Sequence, residues 1–391
     1  MRRILLAHRD EAETLAAIPA LAERYAAAVI TVTLDVGQDG STSAFRDRAL
    51  AAGAIRAHVV DAREEFVGRY LMPLLHVGAA REDAAGQGAA LWRSLLADKL
   101  LEVAAMEGAT FIAHPFQPHS ADARHLERTL RGREPGVVVV AAALRPSDER
   151  AGPAAEPRPL APAGRHRVLA LETNVWWRRI VVQGTDPSMA SRSLPSVRGG
   201  LFTVVTPDRC PSAPATIAIT FTAGMPTALN GIEMPVVELV EAVDTIAGDH
   251  GVGRLATTTA LNGGWRSEVV EFPAAVVLSA AHDALARAVA SPALWQIRRL
   301  LGRRYAGLLA AGEWHSDARE ALDVFAAATR ARVSGTVRLT LRRGRCRVVG
   351  RDVVGSPATL PGRAAGSARR ATSAPAHHVA VGPTADVSLP H

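Results

Sequence analysis

The sequence predicts an α/β protein in which a parallel-sheet, nucleotide-binding-like domain precedes an α+β domain. Three observations carry that prediction. Short apolar runs (Ile4 to Ala7, Thr110 to Ala113, Val137 to Ala143) alternate with alanine- and leucine-rich helical stretches, the pattern of strands covered by helices on both faces. Pro146 to Gly164 breaks every period with Pro, Ala, Gly and Glu, which is linker composition. Beyond it, strand and helix candidates no longer alternate strictly. A length of 391 residues suits two domains. The boundaries read as 1–145 for the first domain, 146–165 for the linker, 166–355 for the second domain and 356–391 for a disordered Ala-, Pro-, Ser- and Gly-rich tail.

Taken in order, Ile4 to Ala7 reads as the first strand, with a helix after it. Ala28 to Leu34 is a β-branched strand leading into the loop Asp35-Val36-Gly37-Gln38. Ser43 to Ala52 is a helix ended by Gly53, and Ala57 to Val60 a third strand. Asp61 is expected to cap the next helix, with Glu64 three residues on. Ala89 to Ala105 is a long helix closed by Gly108, Leu126 to Leu130 a further helical stretch, and a His-rich loop lies between them after Ala113. In the second half, Thr216 to Thr222 and Glu268 to Phe272 read as strands. Pro235 to Ala247, Ala274 to Ala290 and Ser316 to Arg332 read as helices. Gly335 to Val349 reads as a hairpin turning at Arg343-Gly344.

Bulk properties exclude several classes of function. The formal charge is +7, almost all of it arginine, since Lys99 is the only lysine. The arginines are scattered rather than clustered, which argues against a nucleic-acid surface. Cys210 and Cys346 lie far apart without C-x-x-C spacing, which fits a reducing compartment and argues against structural zinc. No stretch approaches a membrane span, and Ile4 to Ala7 is too short for the core of a signal peptide, so a cytoplasmic location is expected.

The turn after the first strand is where many α/β enzymes hold phosphate on glycine amides and a helix dipole. Here it reads His8-Arg9-Asp10-Glu11, with no glycine. Asp10 with Glu13 resembles an acidic capping box, so carboxylates would satisfy the free amides and repel a polyphosphate.

Several stretches together carry a family resemblance. They are Val29 to Gln38, Val59-Val60-Asp61-Ala62-Arg63-Glu64-Glu65-Phe66, Ala113-His114, Leu229-Asn230-Gly231 and His250-Gly251-Val252-Gly253-Arg254. Glu271-Phe272-Pro273-Ala274, Ala281-His282, Trp314-His315-Ser316 and Gly350-Arg351 complete the set. In this order, over almost the whole chain, they resemble argininosuccinate synthase. The resemblance implies an adenine nucleotide α-hydrolase-like N-terminal domain, a synthetase-type α+β domain with a C-terminal helix and hairpin, and tetramer assembly. It implies a carbon-nitrogen ligase reaction of arginine biosynthesis, in which ATP with Mg drives condensation of citrulline and aspartate through a citrullyl-adenylate, releasing AMP and pyrophosphate.

The ligand motifs of that family are matched only in part. Of its pyrophosphate loop A-Y-S-G-G-x-D-T-S, Ala7 and Thr14 remain, and the resemblance assigns them, with His114, to the nucleotide side. Both glycines are replaced, so the backbone loses its close approach to phosphate. In Y-P-L-G-T-S-x-A-R-P the hydroxyls give way to Ala85, Ala89 and Ala90, while Gly88 and Arg93 remain. In A-H-G-x-T-G-K-G-N-D-Q-x-R-F-E, Asp122 and Glu127 remain. In S-x-D-E-N-L-W-G-R-S, Asn174, Trp176 and Arg178 remain, but Ala170 and Arg179 replace the serines. Glu271 survives beside Val270, which replaces a tyrosine. The resemblance assigns Asp122, Asn174 and Glu271 to the substrate side: Asp122 to an amino group, Glu271 to a ureido or guanidino group.

His119, Asp122 and His125, three residues apart, together with His114, invite a metal reading. His114 is already explained by the family pattern and Pro115 and Pro118 make the loop irregular, so no metal is assigned. No catalytic residue or cofactor is assigned with ATP and Mg in doubt. The expectation is a divergent homologue with a degenerate ATP site, a pseudoenzyme without ordinary synthase activity. It would form a homo-oligomer or a hetero-oligomer with an active relative. The alternatives are a ligase-family enzyme rebuilt for another substrate, with Arg9, His119, His125 and Arg179 converging on one pocket, or a weak genuine synthase.

Overall fold

The computed structural model describes residues 2–8, 12–38, 42–80, 84–142, 166–184, 201–205, 210–261 and 264–354. The expected linker 146–165 and the expected tail 356–391 both lie wholly outside them. The first half is a five-stranded parallel sheet in the order β3-β2-β1-β4-β5. Its strands are β1 (Arg2–Ala7), β2 (Ala27–Asp35), β3 (Arg56–Asp61), β4 (Phe111–His114) and β5 (Val138–Ala141). The apolar runs of β1 and β2 are buried along their length, as strands covered on both faces must be. Helices α1 (Ala12–Tyr25) and α2 (Thr42–Ala51) link the first three strands. Gly53, at φ 103°, follows the end of α2.

After β3 the structure corrects one expectation. Ala62, not Asp61, precedes the short helix α3 (Arg63–Glu65), and no side chain caps it. Asp61 accepts from the Arg63 backbone N–H at 3.2 Å and pairs with its guanidinium at 2.7 Å, so the carboxylate is taken up by a local ion pair instead. The chain continues as a π-helical turn (Phe66–Leu71) into α4 (Met72–Val77). Helix α5 (Ala84–Glu107) then runs on to β4, and α6 (Ala121–Arg133) joins β4 to β5. Ser120 caps α6, accepting from Ala123 N–H. The central part of α5 is apolar on nearly every side and is buried nearly all round, between the sheet and the second half of the chain.

The second half holds two antiparallel sheets. One has the order β11-β12-β7-β6, built from β6 (His166–Asn174), β7 (Trp177–Gly184), β11 (Arg254–Leu261) and β12 (Gly264–Glu271). The other has the order β10-β9-β8-β13-β14, from β8 (Ala215–Thr222), β9 (Met225–Leu229), β10 (Ile232–Glu233), β13 (Gly335–Arg342) and β14 (Arg345–Val353). The expected hairpin is β13–β14, with Arg343 and Gly344 both at positive φ in its turn. Helices α7 (Val236–Asp249), α8 (Pro273–Val289), α9 (Pro292–Ala310) and α10 (Asp317–Arg330) pack on these sheets and on α4. Sequence reading passed over α9, although Ser291 caps it and Pro292 opens it. One hydrophobic cluster joins Leu5 and Val32 of the first half to Ile219, Leu278 and Leu339 of the second, so the halves share a core. Cys210 and Cys346 form no disulfide.

Helix α8 is capped from another element. Asp244 of α7 accepts from the Ala274 N–H at 3.0 Å. Burial, with the charge of Glu271 adding to it against that hydrogen bond, pushes the Asp244 carboxyl up to about 7. The native state therefore keeps the proton up to about pH 7, while the unfolded chain releases it near the ordinary value of 3.8. The contribution of Asp244 to stability falls as pH rises through that window. Asp244→Asn retains an oxygen acceptor for Ala274 and is expected to flatten the decline between pH 5 and 8 and to raise the melting temperature at pH 8, read by thermal unfolding at several pH values. An unchanged slope would show that Asp244 does not titrate there.

Candidate functional site

The chain leaves β1 to one side through α1 and β2, while β4 and β5 lie on the other. The C-terminal ends of β1 and β4 therefore flank the point where strand order reverses, the usual ligand crevice of such sheets. Ala7 and His8 close β1, and both are buried. Thr14, also buried, lies in the first turns of α1. Residues 9–11, with Arg9 and the Asp10 of the expected capping box, lie outside the described residues. Across the crevice His114 is fully buried at the end of β4, with Nε2 3.3 Å from Glu127 and its ring beside Phe116. Burial lowers the His114 pKa against the pull of Glu127.

Beside this crevice a set of charges converges from both halves. Arg93 of α5 reaches Asp122, in the first turn of α6, at 2.7 Å. Arg179 of β7 donates from Nε to Glu268 of β12 at 2.5 Å and lies 3.6 Å from Glu172 of β6. Register explains the second group: Glu172 stands directly opposite Arg179 on β6, and Glu268 sits two residues from Val270, its partner on β12. The two groups sense each other. Burial lowers the Arg93 pKa, offset by Asp122 and Glu172, while Asp122 is among the charges holding the Arg179 pKa up against its burial. His125 faces the same place from α6, where burial and then the charge of Arg93 push its pKa down to about 4, so it is neutral at pH 7. Two guanidinium groups thus meet three carboxylates, with a neutral imidazole at the margin.

The other sequence-derived candidates sit in structural settings. Asn174 is buried in the β6–β7 turn, its Oδ1 accepting from the N–H groups of Trp176 and Trp177 at 2.9 and 3.1 Å. Glu271 is buried at the end of β12. It takes an ion pair from Arg178 at 2.7 Å and backbone N–H bonds from Thr203, Val204 and Val205. His119 occupies a left-handed conformation at φ 63° just before α6, where its carbonyl accepts from Arg124. Among the described residues no group of three or more His, Cys, Asp or Glu side chains is placed to hold a metal ion. Of the four replacements expected to converge, His125 and Arg179 both feel the charge of Asp122, His119 is exposed on the loop before α6, and Arg9 lies outside the described residues. Glu172 and Glu268 were missed; their signal was charge on strands whose neighbours are apolar.

Comparison with known proteins settles the family. Residues 3–151 match the model of the arginosuccinate synthase N-terminal HUP domain, and residues 196–360 match that of the arginosuccinate synthase C-terminal domain. The chain belongs to the argininosuccinate synthase family. An argininosuccinate synthase of Pelotomaculum thermopropionicum is 32% identical over 365 residues, covering 92% of this chain and 89% of that protein. The argininosuccinate synthase of Symbiobacterium thermophilum is 32% identical over 364 residues, with the same coverage. That of Pyrobaculum aerophilum is 31% identical over 354 residues, covering 90% of this chain and 88% of its own. No helix among the described residues is long and apolar enough to cross a membrane.

Arg179 neutralises carboxylates that would otherwise repel one another in a largely buried place. Arg179→Met is expected to destabilise the protein by ~1–3 kcal/mol, and Arg179→Lys, which keeps the charge, by less, as read by urea unfolding. Equal losses in the two variants would show that Arg179 acts through its packing rather than its charge.

Proposed function

We propose that this member of the argininosuccinate synthase family does not carry out the ordinary condensation of citrulline with aspartate and serves as a non-catalytic family member that assembles with itself or with an active relative. The observation that supports this reading is the setting of Arg179. It stands where the family pattern has a small serine and brings a guanidinium, paired to Glu268 and Glu172, into the charged cluster. A guanidinium has the planar shape and N–H donors of a ureido group. A side chain of that shape fills space that a serine would leave open to a citrulline-like substrate, and it holds Glu268 and Glu172 engaged. The substitutions in the β1 turn point the same way, since a loop without glycine loses the close backbone approach that a polyphosphate needs. Assembly follows from the family, whose members are typically oligomeric.

A specific observation favours a second reading, a ligase-family enzyme rebuilt for another substrate. His125 and Arg179, both departures from the family pattern, are each coupled to Asp122, which pairs with Arg93, although His119 is exposed away from them. Under that reading Asp122 holds an amino group, and the N-terminal domain keeps its nucleotide on Ala7, Thr14 and His114.

Calorimetric titration with Mg-ATP, alone and with citrulline and aspartate present, is expected to give no saturable heat at millimolar nucleotide. The chain alone is expected not to restore growth of a synthase-deficient strain without arginine. Rescue of that strain would overturn the first reading. One-to-one nucleotide binding with pyrophosphate release on another amine or ureido substrate would establish the second.

A further inference from the structure

Away from the strand-end crevice, α8, α9 and the C-terminal end of α10 enclose a cavity of about 160 Å³. It shares no residue with the charged cluster, and apart from Thr329, whose hydroxyl donates within its own helix, its polar lining consists of arginines and histidines. Arg298, Arg330 and Arg332 contribute guanidinium groups, and His76 and His282 contribute imidazoles. The remaining wall includes apolar side chains such as Val289, Leu294 and Val333.

The hydrogen bonds fix what each group can still offer. Arg298 is buried and engaged: it donates to Asp283 at 2.7 Å, to the carbonyls of His76 and Leu75, and to His282 Nδ1 at 3.2 Å. Because an arginine only donates, His282 Nδ1 must accept, and the neutral ring carries its proton on Nε2. That Nε2–H has no acceptor among the described residues, although His282 is only 1% exposed. Burial comes first, then Arg298 and His76, in holding the His282 pKa well below its ordinary value, so the ring stays neutral. His76 is engaged through Nε2 with the Gly224 carbonyl at 3.1 Å, and burial with Arg330 pushes its pKa down to about 4. Arg330 donates to the Ala223 carbonyl at 3.0 Å, which leaves most of its fork without a partner among the described residues. Neither Arg330 nor Arg332 pairs with a carboxylate among the described residues.

A buried N–H without an acceptor costs free energy unless something in the cavity receives it. Beside it stand two cations with spare donors and an aliphatic wall. From this juxtaposition we infer that the cavity is a binding site for a small aliphatic monocarboxylate, its carboxylate received by Arg330 and the His282 Nε2–H and its hydrocarbon part lying on Val289 and Leu294. Arginine forks match carboxylate geometry, and Arg332 at the exposed rim adds attraction on approach. The volume suits a small metabolite. The site is independent of the proposed function, because it uses neither the crevice nor the charged cluster.

The test uses the full chain and 3-methylbutanoate as the probe, with 3-methylbutanamide as its uncharged counterpart. Titration calorimetry is expected to show saturable one-to-one binding of the acid at millimolar concentration or below, and binding of the amide at least about tenfold weaker. Arg330→Met is expected to weaken the acid by a similar factor while leaving the circular dichroism spectrum unchanged. Arg332→Met, at an exposed position, is expected to lower affinity less and to flatten the salt dependence of binding. Equal binding of acid and amide, unchanged affinity in a folded Arg330→Met protein, or no saturable heat from the acid would each overturn the inference. The acid-against-amide comparison needs no variant, so it decides even if Arg330→Met fails to fold.

Discussion

The turn between β6 and β7 holds the two halves of the chain together. Asn174 folds it by accepting two consecutive N–H groups, and this presents Val175, Trp176 and Trp177 to the first half. Val175 N–H donates to the Val36 carbonyl at 2.9 Å, just beyond the end of β2. Gly37 lies against it at φ 88°, and a Cβ there would overlap the Val175 side chain. On the other side Trp177 lies over Gly88 of α5, again with no space for a Cβ. Both tryptophans are almost wholly buried, and side chains of that size dominate the energetics of a contact. Arg178 and Arg179 follow directly on β7, so the place of the charged cluster is set by how this turn docks.

A second fastening lies on the opposite side of the shared core. Arg298 of α9 reaches the carbonyls of Leu75 and His76 at the end of α4 while pairing with Asp283. A third runs through Asp98 of α5, which Tyr70 and His315 both contact, with Tyr70 stacked on Trp314 at 4.8 Å. Burial opposes ionisation of Asp98, yet the hydrogen bonds from His315 and Tyr70 outweigh it and hold its pKa below the ordinary range. Separating the halves would expose two tryptophans and strip partners from a buried arginine and a buried carboxylate. Such losses make hinge opening costly, and the cleft is held in one geometry.

The fold was legible where local chemistry and tertiary need agree. The apolar strands of the parallel sheet have one destiny in a sheet covered on both faces, and β1, β2 and the β13–β14 hairpin follow their sequence patterns within a residue or two at most boundaries. Helix α9 was passed over because arginines occupy positions that a core-facing stripe would fill, and one of them, Arg298, is buried by partners far away in sequence. The cap at Asp61 was misread because an arginine two residues on competes for the same carboxylate. In the site, Asp122 and Arg93 could be named from their motifs. Their pairing, and the roles of Glu172 and Glu268, depend on cross-strand register that no single segment encodes.

The residues that match the family motifs and the residues that depart from them have different tasks in this structure. Asn174 shapes a turn, Trp176 fills the shared core, and Arg178 and Glu271 neutralise each other under the Thr203–Val205 amides. Gly253, at φ 83°, lies where a Cβ would come within 2.5 Å of Pro273, and His282 is bound to Arg298. Each of these is engaged in the packing or hydrogen bonding of the architecture. The departures at Ala89 and Ala90 lie on α5 within the shared core, and Arg179 lies in the charged cluster between β6 and β12. A match at architectural positions therefore identifies the fold and the family but carries little information about turnover. In the charged cluster, by contrast, Arg179 depends on partners that register alone brings together, Glu268 on one neighbouring strand and Glu172 on the other.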